Sequence, residues 1–125
     1  NEHGLRHNFA QLEAMKNDGS CTDIVIVYGS VADKDVDAVL HLMPEDATYV
    51  FTQAHSKRAL PAEIIKEKYL ASGKSAKGIY VQENVSDAVN LARSLAASIQ
   101  EKSSEAVPLI YIGGSTYVVS EAVTL

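Results

Sequence analysis

The stretch LIYIGGSTYVVSE, residues 109–121, decides how the rest of the chain is read. Residues 109–112 form an unbroken apolar run rich in β-branched and aromatic side chains, and Gly113 and Gly114 stop it. Ser115 and Thr116 follow, and then Val118, Val119 and Ala122 fall at helix-compatible spacing. The order is a buried strand, a tight turn and a helix start. Amides at a helix N-terminus have no intrahelical partner, and the helix dipole adds partial positive charge there, so such a turn favours a carboxylate or a phosphate. The glycines let a ligand approach the backbone, and Ser115 is placed either to cap the helix or to bind the anion.

The same strand-then-helix grammar runs through the chain. Residues 1–16 read as a loop, punctuated by Gly4, leading into a helix whose stripe is Leu5, Phe9, Leu12 and Met15. IVIVY at 24–28 is a continuous buried strand ended by Gly29 and Ser30. Asp35 then caps a helix near 36–43 that turns Val36, Val39, Leu40 and Met43 inward, and Pro44 ends it. Residues 49–53 make a second strand, and Pro61 opens a helix to about residue 71. A short third strand spans 78–81. Asn84 or Ser86 caps a longer helix buried along Val85, Val89, Ala92, Ala96 and Ile99.

Strands alternating with helices, without hairpin signals, predict an α/β fold of three layers. It is a Rossmann-like, mostly parallel sheet with helices on both faces. Right-handed crossovers favour the strand order third, second, first, fourth, with the two most apolar strands central and adjacent. Chain direction then reverses between the first and fourth strands, and ligands bind at such switch points. The loops placed there are 29–35 and 113–116, with 54–60 beside them.

The whole 125 residues fit one domain with one core. A hydrophobic share of 46% against 22% charged residues argues against disorder. Net charge is −5 and no basic stripe is present, which argues against nucleic acid as a partner. The lone Cys21 forms no intrachain disulfide and no Cys/His spacing suggests zinc, so a reducing, cytoplasmic setting is the simplest expectation. The sequence carries no long apolar span, and membrane association is not expected. The first residue, Asn1, is not Met, which suggests a fragment or a processed product.

Four groups can carry chemistry. Asp33, Lys34 and Asp35 read either as a polar cluster with Lys34 reaching an anion, or as a solvated turn and helix cap. Arg58 can hold a carboxylate bidentately, whereas Lys57 cannot; either also reads as a surface cation. His55 reads as a proton-exchanging side chain or simply as a surface hydrogen-bonding residue. Gly113-Gly114-Ser115-Thr116 is the best local candidate for an anion site, and equally the ordinary chemistry of a strand–helix turn. The sequence shows no nucleophile with a base, no GxxxxGK[ST], no GxGxxG and no poised carboxylate pair. No catalytic residue and no metal ligand is assigned.

Asn1-Glu2-His3-Gly4, Tyr28-Gly29-Ser30 with Asp33-Lys34-Asp35, Arg58-Ala59-Leu60 and Gly113-Gly114-Ser115-Thr116-Tyr117-Val118-Val119 occur in that order across the chain. Together they resemble the C-terminal domain of folylpolyglutamate synthases, including those that are also dihydrofolate synthases, which are Mur-ligase-type ATP-dependent amide ligases. Asn1 matches the asparagine of the family's Asp-x-x-His-Asn-x-x-Gly segment, and Asp33-Lys34-Asp35 its DKD signature. The resemblance implies that ATP with Mg²⁺ phosphorylates a folate or dihydropteroate carboxylate and that L-glutamate then attacks the acyl phosphate. It implies that the nucleotide loop, most metal ligands and the folate pocket belong to a preceding ATPase domain, so this chain alone is expected to be inactive. By the same resemblance, Gly114, Ser115 and Thr116 would hold a carboxylate of incoming glutamate, and Arg58 would orient a carboxylate or bridge to the larger domain. Asp33, Lys34 and Asp35 would face the interdomain cleft, and Asn1 would lie near the adenine or ribose. The family places a further strand beside residues 109–112. Without it that strand has a bare apolar edge, and a dimer through this edge is expected. The alternative is a free-standing nucleotide-binding or receiver-like module. Tyr28-Gly29-Ser30 lacks a receiver's acidic pair, and VADKD at 31–35 fits a flavin phosphate loop poorly. A purely structural interaction domain is the third reading.

Overall fold

The computed structural model describes residues 2–32 and 34–124. In chain order the elements are α1 (Glu2–Asn17), β1 (Asp23–Gly29), α2 (Val36–Leu42), β2 (Thr48–Phe51), α3 (Ala62–Ala71), β3 (Gly78–Val81), α4 (Val85–Lys102), β4 (Pro108–Gly114) and α5 (Thr116–Val123). The strands form one sheet in the order β3-β2-β1-β4, and every pairing is parallel. This is the α/β, Rossmann-like architecture and the strand order expected from the sequence.

Side chains alternate across a strand, so each strand supplies two cores. Ile24, Ile26, Tyr28, Tyr49 and Phe51 face Leu5, Phe9 and Leu12 of α1, Val36, Val39 and Leu40 of α2, and Ile65 and Tyr69 of α3. Val25, Val27 and Val50 face the other way, against Ala88 and Ala92, whose small side chains let α4 lie close to the sheet. Asp35 and Asn84 cap their helices as expected, accepting from Ala38 N (3.1 Å) and Asp87 N (3.3 Å).

The structure departs from the sequence reading at five places. Gly4 lies inside α1 rather than in a leading loop; the cost of a helical glycine, about 1 kcal/mol, is outweighed by burying Leu5, Phe9 and Leu12. Helix α2 stops at Leu42, because Met43 precedes Pro44 and is held extended, ψ 129°. The second strand is Thr48–Phe51, one residue earlier at its start and two shorter at its end than expected. Gly113 and Gly114 do not stop the fourth strand. They are its last two residues, paired with Tyr28 and Gly29. Ala96 and Ile99, expected in the buried face of α4, are half-buried.

That final glycine pairing is tight. Gly114 has φ +111°, and a Cβ there would sit 1.9 Å from Gly29 O. A Cβ on Gly29 would lie 2.7 Å from Thr52 O and 2.8 Å from Val118 Cγ2. Gly113 differs, since the nearest atoms an added Cβ would meet belong to the Tyr111 ring, a side chain that can move. Gly114→Ala is therefore expected to lower unfolding free energy by at least about 2 kcal/mol, combining left-handed strain with a backbone clash, and Gly113→Ala by less. Urea denaturation of the two variants beside the parent chain measures the difference, and equal effects would contradict the close-approach account.

Candidate functional site

Where the ends of β1 and β4 part, a cleft of about 590 Å³ opens. Its walls bring together Lys34 and Asp35 after β1, Arg58 after β2, Gly114 at the end of β4, and Ser115 and Thr116 at the start of α5. The residues selected from the sequence thus converge on one concavity, at the switch point of the sheet. Asn1 and Asp33 lie outside the described residues.

The helix start accounts for its own donors. Four backbone N–H groups at a helix N-terminus lack intrahelical acceptors. Ser115 N donates to Gly29 O at 3.0 Å, and Val118 N donates to Ser115 Oγ at 3.2 Å. Thr116 N and Tyr117 N remain without an acceptor among the described residues. The choice left open for Ser115 is thereby resolved toward the cap. Its hydroxyl accepts from the backbone, and its own O–H proton can still be donated to a ligand. The amide of Ser115 itself is committed to Gly29.

Arg58 reaches the cleft because its loop is stitched to the loop after β1. Val31 and Ala59 form an antiparallel bridge, Ala32 N donates to Arg58 O (2.7 Å), and Leu60 N donates to Ser30 O (2.9 Å). Lys34 and Arg58 are both exposed, so two cations stand at the rim. Asp35 lines the cleft while its carboxylate caps α2, so its structural role is met whatever binds. Tyr28 forms part of the floor. Burial pushes its phenol up, with the Ser30 hydroxyl partly offsetting, so it stays protonated at neutral pH.

Several lining residues escaped the sequence reading as site residues. Leu5 contributes from α1, distant in sequence, and no local signal marks it. Tyr28 and Tyr117 were visible beside their glycine turns, but only as core or motif residues. His55 does not line the cleft; its ring and amide meet Glu121 of α5, and Lys57 is exposed elsewhere on the loop. A larger groove, about 850 Å³, lies at the opposite end of the sheet between α1 and the end of α2. Its basic side chains are offset by Glu13, Glu45 and Asp46: Lys16 pairs with Asp46, and Lys74 Nζ donates to the His41 and Met43 carbonyls. Among the described residues no group of three or more His, Cys, Asp or Glu is arranged to hold a metal ion. No helix there is long and apolar enough to cross a membrane.

The fold is that of the C-terminal domain of folylpolyglutamate synthase. Folylpolyglutamate synthase from Mycobacterium tuberculosis, complexed with ADP and AMPPCP, superposes with a TM-score of 0.72 over 98% of this chain at 22% identity. Its ADP complex gives 0.73 over 99% at 21% identity. The bifunctional folylpolyglutamate synthase/dihydrofolate synthase of Yersinia pestis, complexed with AMPPNP and Mn ion, gives 0.67 over 100% at 17% identity. In each case this chain spans 27% of the larger protein's length. At these identities the likeness establishes the fold. No family model matches the sequence, and no curated protein matches it.

Removing the cap hydroxyl separates its two roles. Ser115→Ala is expected to cost about 1 kcal/mol of stability through the lost cap, with Ser115→Thr retaining most of it. Thermal denaturation of both variants checks this, and an unchanged melting temperature for Ser115→Ala would remove the capping role.

Proposed function

We propose that this chain is the glutamate-binding, closing domain of a folylpolyglutamate synthase or dihydrofolate synthase, an ATP-dependent ligase joining L-glutamate to folate or dihydropteroate. One observation carries the reading: on that fold, a single cleft gathers Arg58, Lys34, the Ser115 hydroxyl and two open amides of α5. These donors suit a carboxylate. Arg58 supplies a planar fork, and the helix start supplies directed N–H groups in its positive field. Gly114 lets the ligand approach because no side chain stands in front of the amides.

In this reading ATP with Mg²⁺ activates the folate carboxylate on a larger domain outside this chain, in keeping with the 27% share it spans of its structural neighbours. The chain's own part is to bind glutamate, present its amino group and exclude water on closure. Lys34, Asp35 and Asp33 would border the interdomain cleft, and Asn1 would approach the nucleotide's adenine or ribose. The isolated chain would bind without catalysing.

A partner reading attaches to β4. It is an edge strand, and among the described residues no backbone hydrogen bond reaches its outer side. Helix α1 covers a face of it instead, through Asn8 Nδ2 donating to the Tyr111 hydroxyl (3.0 Å) and a Phe9–Tyr111 edge contact. We propose that two copies pair through this edge in an antiparallel arrangement.

Titrating the ¹⁵N-labelled chain with L-glutamate should shift the Thr116 and Tyr117 amides. Arg58→Ala should weaken that binding roughly ten- to hundredfold, the worth of a charge-assisted hydrogen-bond pair. In an enzyme carrying this chain, the same variant should raise the KM for glutamate; a wild-type KM would remove the assignment. Sedimentation velocity from micromolar to millimolar concentration tests the pairing: a monomer throughout would eliminate the β4 dimer.

A further inference from the structure

Helix α5 does more than present its N-terminus. One turn beyond the cleft, the half-buried Glu121 reaches across to the loop that carries Arg58. Its Oε2 accepts from the backbone N–H of His55 at 2.7 Å, and its Oε1 lies 3.1 Å from His55 Nδ1. One carboxylate thus clasps the amide and the ring of the same residue. His55 Nε2 in turn faces Asn84 Nδ2, 3.4 Å away, at the capped start of α4.

The loop between β2 and α3 is therefore held at both ends. Near residue 59 the Val31–Ala59 bridge and its flanking hydrogen bonds fasten it to the loop after β1. At residue 55 Glu121 fastens it to α5. Between these two points Ser56 turns the chain, its hydroxyl accepting from Arg58 N (3.1 Å) and its carbonyl from Ala59 N (3.1 Å). Helix α5 is itself immobilised on the sheet end, because Val118 is fully buried and packs against Gly29. Glu121 hence transmits the position of a rigid element to a loop that lacks its own secondary structure. The two walls of the cleft, Arg58 on one side and the open amides of α5 on the other, are referenced to one another through it.

The geometry points to Glu121 as a positioning residue: it holds the Arg58 loop against α5 and so sets the spacing of the two carboxylate-binding walls. This rests on the proposed glutamate site for its consequence, though not for its structural content. An exposed ion pair by itself would be worth little. The N–H···carboxylate bond to the backbone is what constrains the loop, and it holds in either charge state of His55.

Two readouts test it. Without any ligand, ¹⁵N relaxation of the residue 55–58 amides and of Arg58 Nε should show greater mobility in Glu121→Ala than in the parent chain. Glu121→Gln, which retains an acceptor for His55 N–H, should restore most of the order. Alanine favours the helix, and a thermal melt confirms folding; Glu121→Asp, one methylene short of His55, serves the same purpose if alanine is not tolerated. With ligand, Glu121→Ala should weaken L-glutamate binding about tenfold, the usual effect of losing a residue that orients a contact. It should add little in an Arg58→Ala background, because the two act through one contact. Unchanged Arg58 mobility, or fully additive effects of the two substitutions, would overturn the assignment. A parent chain that ignores L-glutamate would remove the proposed function, while the Arg58 mobility still decides for or against Glu121.

Discussion

Everything at the cleft end of this molecule hangs on the contact between Gly29 and Gly114. These residues end the paired register of β1 and β4, and there the two backbones come closer than any Cβ allows. The same carbonyl of Gly29 receives the amide of Ser115, so the chain leaves the sheet and starts α5 within one residue. Val118 then closes over Gly29 from above. A strand end, a helix start and the floor of a cleft are thereby fixed by two residues without side chains. Close packing of this kind is unforgiving, because a single added methyl group has no space to occupy.

From that anchor the polar accounting of the site follows. Gly29 O takes the amide of Ser115 and the cap takes that of Val118, which leaves Thr116 and Tyr117 without an acceptor among the described residues, in the positive field of the helix start. The cations come from elsewhere. Arg58 belongs to a loop with no regular structure of its own, yet it is tied to the neighbouring loop through Ala32 and Leu60. Lys34 stands on that neighbouring loop. The proposed anion site thus lies where a rigid strand-helix junction meets two mutually braced loops, the usual division between scaffold and working residues.

Much of this was legible beforehand for physical reasons that are local. Apolar runs such as IVIVY at 24–28 are too short for a helix and too hydrophobic for a loop, and they became the central strands. Asp35, Asn84 and Ser115 announced their helices because capping needs only a side-chain oxygen near three consecutive amides. The candidate residues Lys34, Arg58 and Ser115 could be placed together since strand order dictates which loops share an end of the sheet. Where local rules failed, a tertiary contact had overridden them. Gly4 is helical because α1 buries its apolar stripe, and Gly113 and Gly114 extend β4 because β1 offers partners as far as Gly29.

Sequence alone determined the α/β class, the parallel strand order and the end of the sheet where the candidate loops meet, because periodicity, caps and crossover rules act over a few residues at a time. Only the tertiary structure decided which donors remain open. Whether an amide at the start of α5 is spent depends on Gly29, eighty-odd residues earlier in the chain. Likewise, the clasp of Glu121 on His55 spans 66 positions and leaves no trace in either local sequence. Hydrogen-bond accounting and loop bracing are properties of residues brought together by folding, and no spacing within one element encodes them.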